Sequence, residues 1–159
     1  MSKRIILLIL IVLNLGTIFF FSHQDATTST ALSSAISKQI EVNIPNYEQK
    51  NQGEKNVLHN HLQRGLRKAA HASLFFTLGV LVLLFCFTFS LGRIWSALCT
   101  VSFGFLCALG DEFHQSFVPG RTAQYEDVVA DMMGILLGIA IGIIGLLISN
   151  IITKATKKR

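Results

Sequence analysis

Four long apolar runs alternate with polar segments along the chain. Ile5 to Phe21, Ala72 to Leu91, Ile94 to Gly110 and Met132 to Ile152 contain no Lys, Arg, Asp or Glu. Crossing the hydrocarbon core of a bilayer takes about 20 apolar residues, with about 17 to 25 tolerated, and all four runs fit. A helix is the economical form for each, because lipid offers no partner to an unpaired backbone N–H or C=O. The pattern predicts an all-α fold. It reads as a polytopic membrane protein, a four-helix transmembrane bundle with a long connection after the first helix, in a single domain over 1–159.

The first run follows Lys3 and Arg4, a start shared with cleavable signal peptides. Its apolar core is longer than a signal's, and no Ala-x-Ala site follows at once, so a retained helix is expected.

The connections differ in character. Residues 22–67 form the long outer loop, opening with Ser22-His23-Gln24-Asp25 and a Ser/Thr run from Thr27 to Thr30. Leu32, Ile36 and Ile40 then recur at helical spacing, which predicts a short amphipathic helix at the membrane interface. Asn43 to Asn56 is polar, holds Pro45 and Gly53, and reads as exposed loop. Val57 to Lys68 leads into the second span, with His59 and His61 expected to be solvated. Gly92-Arg93 should join spans two and three as a tight hairpin. The segment from Asp111 to Asp127 should turn at Pro119-Gly120.

Composition agrees with lipid as solvent. Only 14% of residues are charged, against about a quarter in soluble domains. The net charge of +5 reads as membrane-flanking lysines and arginines. No nucleic-acid partner is expected, because that would need a basic groove with aromatic platforms. The basic tail Lys154 to Arg159 reads as a stop-transfer flank. Cys86, Cys99 and Cys107 all lie inside spans and are odd in number, so no disulfide framework is expected.

With both termini on the inner side, the 14 Lys and Arg residues divide equally between the faces, and the positive-inside rule alone does not decide orientation. All 9 acids and all 5 histidines fall on the opposite face. The compact basic patches at the termini and the tight hairpin at Arg93 favour a multi-pass protein of the cell membrane with both termini cytoplasmic.

Candidate chemistry gathers where the spans reach the outer face. Gly104, Ala108, Asp111 and Gln115 form one helical stripe. Asp127, Asp131, Gly134, Gly138, Gly142 and Gly145 form another, and small-residue stripes are helix-packing seams. Both seams run into carboxylates, which should therefore face the bundle. Arg67, Lys68 and His71 can share a face of the second span, and Arg64, Glu126 and His23 read as interfacial flanks. An ionised aspartate within a span costs about 2.5 to 3.5 kcal/mol on insertion scales, less near the interface. Arg121 is the expected counter-charge, since its fork can bind one aspartate in two places. Lys68, His71, Asp111, Glu112, Gln115, Arg121, Asp127 and Asp131 are thus expected to form one ligand-binding pocket.

Asp111-Glu112-x-x-Gln115-x-Phe117-x-x-Gly120-Arg121, followed by Asp127 and Gly134, resembles the signature of the VanZ-like family. Phe21-Ser22-His23-Gln24 and Lys68-x-x-His71 resemble its two earlier motifs. The resemblance covers most of the chain and implies a bacterial or archaeal integral membrane protein. It also implies a link to low-level resistance to teicoplanin-type glycopeptides, with which the founding member is associated. The family usually has Asn where this chain has Asp131, and the resemblance implies that the added negative charge should alter what the pocket prefers.

Two readings of function stand. The first is an envelope protein that binds or modulates a lipid-linked or cell-wall-related ligand, with membrane lipids and a lipid-linked cell-wall precursor as partners. The second is an intramembrane enzyme on a lipid-linked phosphate, with His71 as base or nucleophile and Asp111 or Glu112 as acid. No cofactor or metal is required by the first. A metal variant of the second would use His71, Glu112, His114 and Asp127. A small transporter ranks last, because no span carries charge at its centre.

Overall fold

The structure is a computed structural model describing residues 2–24 and 26–156, with side chains in the second stretch described from 33 onward. Asp25, the Leu32 side chain and the tail residues Lys157 to Arg159 lie outside the described residues. The element order is α1 (Lys3–His23), α2 (Ala26–Val42), a short 3-10 helix (Tyr47–Gln49), α3 (Gln52–Phe87), α4 (Arg93–Gln115) and α5 (Tyr125–Thr156). Four of these, α1, α3, α4 and α5, are long and apolar enough to cross a membrane. The broad exposed faces of Leu, Ile and Phe on them, such as Leu13, Leu106 and Leu137, suit hydrocarbon as the surrounding solvent.

The core is small and set by close backbone approach. α3 and α5 share the largest interface. A Cβ on Gly134 would overlap the Ala72 carbonyl, and one on Gly138 would overlap the Phe76 carbonyl. Seen from the other helix, a Cβ on Gly79 would come within 2.8 Å of the Ile135 carbonyl oxygen. Ile135 is fully buried and fills the hole left by Gly104 of α4, where a Cβ would meet its Cδ1 at 2.6 Å. Small residues therefore let three helices meet around one isoleucine, which is how helices associate where lipid removes the hydrophobic driving force. Gly142 faces only the Leu83 side chain, and Gly145 has open space around it. The seam on α5 is thus shorter than its spacing suggests: its backbone-to-backbone contacts stop at Gly138, and α3 ends at Phe87, one turn after Leu83. On α1, Ile11, Ile18 and Ser22 are the buried residues that join it to the bundle.

The helix boundaries shift from expectation at two places. α3 begins at Gln52 rather than near Val57, because Asn51 and Glu54 form a reciprocal capping box at its start. It ends at Phe87 rather than Leu91. Thr88 turns its hydroxyl to the Phe85 carbonyl at 2.7 Å, and Ser90 adopts a left-handed φ of 59°, so polar Thr and Ser close the turn ahead of Gly92. At this end Arg4 donates to the Thr88 carbonyl at 2.7 Å and its guanidinium lies over the Phe89 ring.

The expected amphipathic helix is present as α2, but its buried stripe is the polar one. Ser33, Ser37 and Glu41 are buried, while Ile36 and Ile40 are exposed. The reason lies on α3. His59 Nδ1 sits 2.5 Å from Glu41 Oε1 and 3.3 Å from the Ser37 hydroxyl, and Gln63 Nε2 lies 2.7 Å from His59 Nε2. Tyr47 donates to the other Glu41 oxygen at 2.9 Å. His59, expected to be solvated, is instead the hub that docks α2 onto α3; its neighbour His61 is exposed. The isoleucines of α2 stay on its half-exposed side, with Ile36 bordering an apolar hollow beside Phe21 and Leu66.

Candidate functional site

α1 and α4 run in one direction and α3 and α5 in the other. The C-terminal ends of the first two therefore meet the site-bearing stretches of the second two at one end of the bundle. Asp111 is the centre of this meeting. Ser22 of α1 donates to its Oδ1 at 2.5 Å, and Gln115, one turn along α4, donates to its Oδ2 at 2.7 Å. His71 Nδ1 of α3 lies 3.6 Å from the same Oδ2. Asp131 of α5 approaches from the remaining side, and ligand atoms of His71, Asp111 and Asp131 all lie within 4.8 Å of one another. Asp131 is 1% exposed, and its Oδ1 has no hydrogen-bond partner. The stripes on α4 and α5 explain the convergence: Gly104 and Ala108 are buried beneath Asp111, as Gly134 and Gly138 are beneath Asp131.

Above this cluster lies a cavity of about 140 Å³, lined by Arg64, Arg67, Lys68, His71, Arg121 and Asp127 among others. The segment that closes it, 116–124, is held in two ways. Val118 to Arg121 is a turn with the Arg121 amide bonded to the Val118 carbonyl at 3.1 Å and Gly120 at a φ of 76°, the position where such a turn calls for glycine. Glu112 Oε2 then accepts from the Gln124 amide at 2.8 Å, while its buried Oε1 has no partner. Glu112 thereby acts as a tether for the segment that presents Arg121.

Two expectations about charge pairing change. Arg121 makes no ion pair among the described residues; its guanidinium donates to the Phe21 carbonyl at 3.3 Å. Burial, and next the charge of Arg67, lower it from its ordinary value. It is not the counter-charge of Asp131, because it enters from the loop above the cluster while Asp131 points into the helix interface below. Asp127 does not join Asp131 inside. It lies a turn nearer the cavity rim and pairs with Lys68 at 2.8 Å, and Lys68 also reaches Glu126 at 3.0 Å. The metal set His71, Glu112, His114 and Asp127 is likewise not assembled. His114 turns away to stack with Phe19 and His23, its Nε2 3.4 Å from His23 Nδ1.

A second cavity, about 510 Å³, adjoins the first and is walled largely by apolar side chains, including Phe21, Ile36, Leu66 and Leu74. Arg67, His71 and Arg121 line both. Arg64, Arg67, Ser22 and Gln124 line the first cavity or contact its acids although the expected pocket does not include them. Arg67 lies one helical turn before His71, and that spacing already puts the two on one face of the helix. Ser22 stands in the motif Phe21-Ser22-His23-Gln24, whereas nothing local marks Gln124, and only the tertiary fold brings the two to Asp111 and Glu112.

A family model described as VanZ/LLP1 matches residues 5–148. The chain belongs to the VanZ/LLP1 family. No curated protein and no solved structure matches it. The VanZ/LLP1 match runs from the first helix through most of α5, and so takes in every residue of the polar cluster and both cavities. With its four long apolar helices, this VanZ/LLP1 chain is a membrane protein.

Proposed function

We propose that this VanZ/LLP1 protein binds an envelope amphiphile with an anionic head and a hydrocarbon tail, of the kind found in lipid-linked cell-wall precursors. One observation carries the reading: Arg67, His71 and Arg121 stand at the boundary between a cationic cavity and an apolar one. Among the described residues neither guanidinium carries a carboxylate, and both suit phosphate, which each can bind through paired N–H donors. The apolar cavity is the larger of the two and would take the first part of the tail.

The site faces outward in this proposal, with four membrane crossings and both termini cytoplasmic. In support, the acids and histidines collect at the site end of the helices, while Lys3, Arg4, Arg93 and Lys154 lie at the other end. Occupancy of an outward pocket by a cell-wall precursor would also give a route to altered teicoplanin sensitivity.

The test is native mass spectrometry of the purified chain with a prenyl phosphate and with the matching prenol. The phosphate should bind at least about tenfold more tightly, equivalent to about 1.4 kcal/mol, and Arg67→Gln with Arg121→Gln should abolish that preference. Equal affinity for phosphate and alcohol in the unaltered protein would sink the proposal. The second reading, an intramembrane enzyme on the same lipid-linked phosphate, is favoured by His71 beside Asp111 at the cavity floor. Time-dependent release of inorganic phosphate from the prenyl phosphate, lost in His71→Ala, would select it.

A further inference from the structure

We propose that His71, Asp111 and Asp131 form a binding site for one divalent metal ion. The three residues come from α3, α4 and α5, and one ligand atom of each lies within 4.8 Å of the other two. An ion with ligand distances of about 2.0 to 2.2 Å holds tetrahedral donors about 3.4 Å apart. Each donor must therefore move by less than about 1 Å to close on it.

The surroundings suit a cation. Asp131 is buried with Oδ1 unpartnered, and an orphaned buried acceptor costs about 1 to 3 kcal/mol. Asp111 is buried beside it, so two carboxylates share one dry space. Among the described residues no Lys or Arg pairs with Asp111 or Asp131. Lys68 is held by Glu126 and Asp127, and Arg121 donates to the Phe21 carbonyl. A divalent ion with two carboxylates and a neutral imidazole is a net-neutral assembly, the form a low-dielectric interior tolerates.

The neighbours of Asp111 fit the role of ligand support. Ser22 and Gln115 donate one hydrogen bond to each of its oxygens, and carboxylates that hold metals are oriented by such partners. One nitrogen and two carboxylate donors suit a transition-series ion such as Zn²⁺ or Mn²⁺ better than Ca²⁺. Three protein ligands leave at least one coordination position open. His71 also lines the cationic cavity, so the open position would serve the phosphate of the proposed amphiphile. That last step rests on the amphiphile reading; metal binding itself does not.

The experiment uses the full chain, purified in detergent through a tag without histidine and stripped with EDTA. Co²⁺ is titrated in while visible absorption is read. One Co²⁺ per chain should bind, with ligand-field bands that Zn²⁺ abolishes by displacement. His71→Ala and Asp131→Ala should each weaken binding at least about tenfold, whereas His61→Ala, an exposed histidine, should leave it unchanged. Zn²⁺ should also raise the melting temperature of the unaltered protein but not that of Asp131→Asn. No saturable Co²⁺ binding to the unaltered protein would overturn the proposal whatever the variants do. So would a melting temperature indifferent to Zn²⁺ and EDTA, with Asp131→Asn melting at or above it, since a proton would then be neutralising Asp131.

Discussion

Alanine placed at two glycines of α5 should change stability in opposite directions. At Gly138 the new Cβ would overlap the Phe76 carbonyl oxygen, lie 3.1 Å from the Val80 amide nitrogen and 3.3 Å from Gly79 Cα. All three contacts are backbone, so no rotamer change can relieve them and α3 must move off α5. Overpacking costs about 1 to 3 kcal/mol, and rigid neighbours place this case at the upper end. The better helix propensity of alanine returns about 1 kcal/mol, leaving a net loss of about 2. Gly145 has nothing within 4 Å of its would-be Cβ, so Gly145→Ala keeps only the propensity gain of about 1 kcal/mol. The two variants should differ by about 3 kcal/mol, roughly two decades in the unfolding equilibrium. Thermal melting and SDS titration of purified protein in detergent would measure this. If Gly145→Ala proves as destabilising as Gly138→Ala, the α3–α5 seam does not carry the fold, and the inward aim of Asp131 loses its basis.

Other outcomes follow from separate parts of the molecule. His59→Ala should undock α2, because it leaves Glu41, only 4% exposed, without its α3 partner; a buried acceptor left short of a partner costs about 1 to 3 kcal/mol. Hydrogen exchange should then rise across 33–42 while the melting of the bundle stays unchanged. Lys68→Gln should cost less than about 1 kcal/mol in a denaturant melt, since its pairs with Glu126 and Asp127 are partly solvated. An alkaline phosphatase fusion after Asn46 should be active, and fusions after Arg93 or at the C-terminus inactive; an active C-terminal fusion would refute the termini-in orientation.

Sequence alone determined the helical class, the four apolar helices and the two small-residue stripes, because lipid solvation and helical periodicity act along the chain and need no knowledge of neighbours. It also brought His71, Asp111 and Asp131 to one end of the bundle, since each directly borders the end of an apolar run. Which charges meet was decided only by the tertiary structure. Spacing cannot tell that Lys68 takes Asp127, that Arg121 bonds a carbonyl of α1, or that Asp131 is left beside Asp111. Those outcomes depend on how far α5 slides along α3, and Ile135 seated between Gly79 and Gly104 sets that register. The docking of α2 was hidden for the same reason. Its isoleucines carry the periodic signal, but Glu41 and Ser37 carry the contact, and their partner His59 lies on another helix. Hydrophobic periodicity reports which face avoids water, and in a membrane protein the polar face can be the one that holds the fold together.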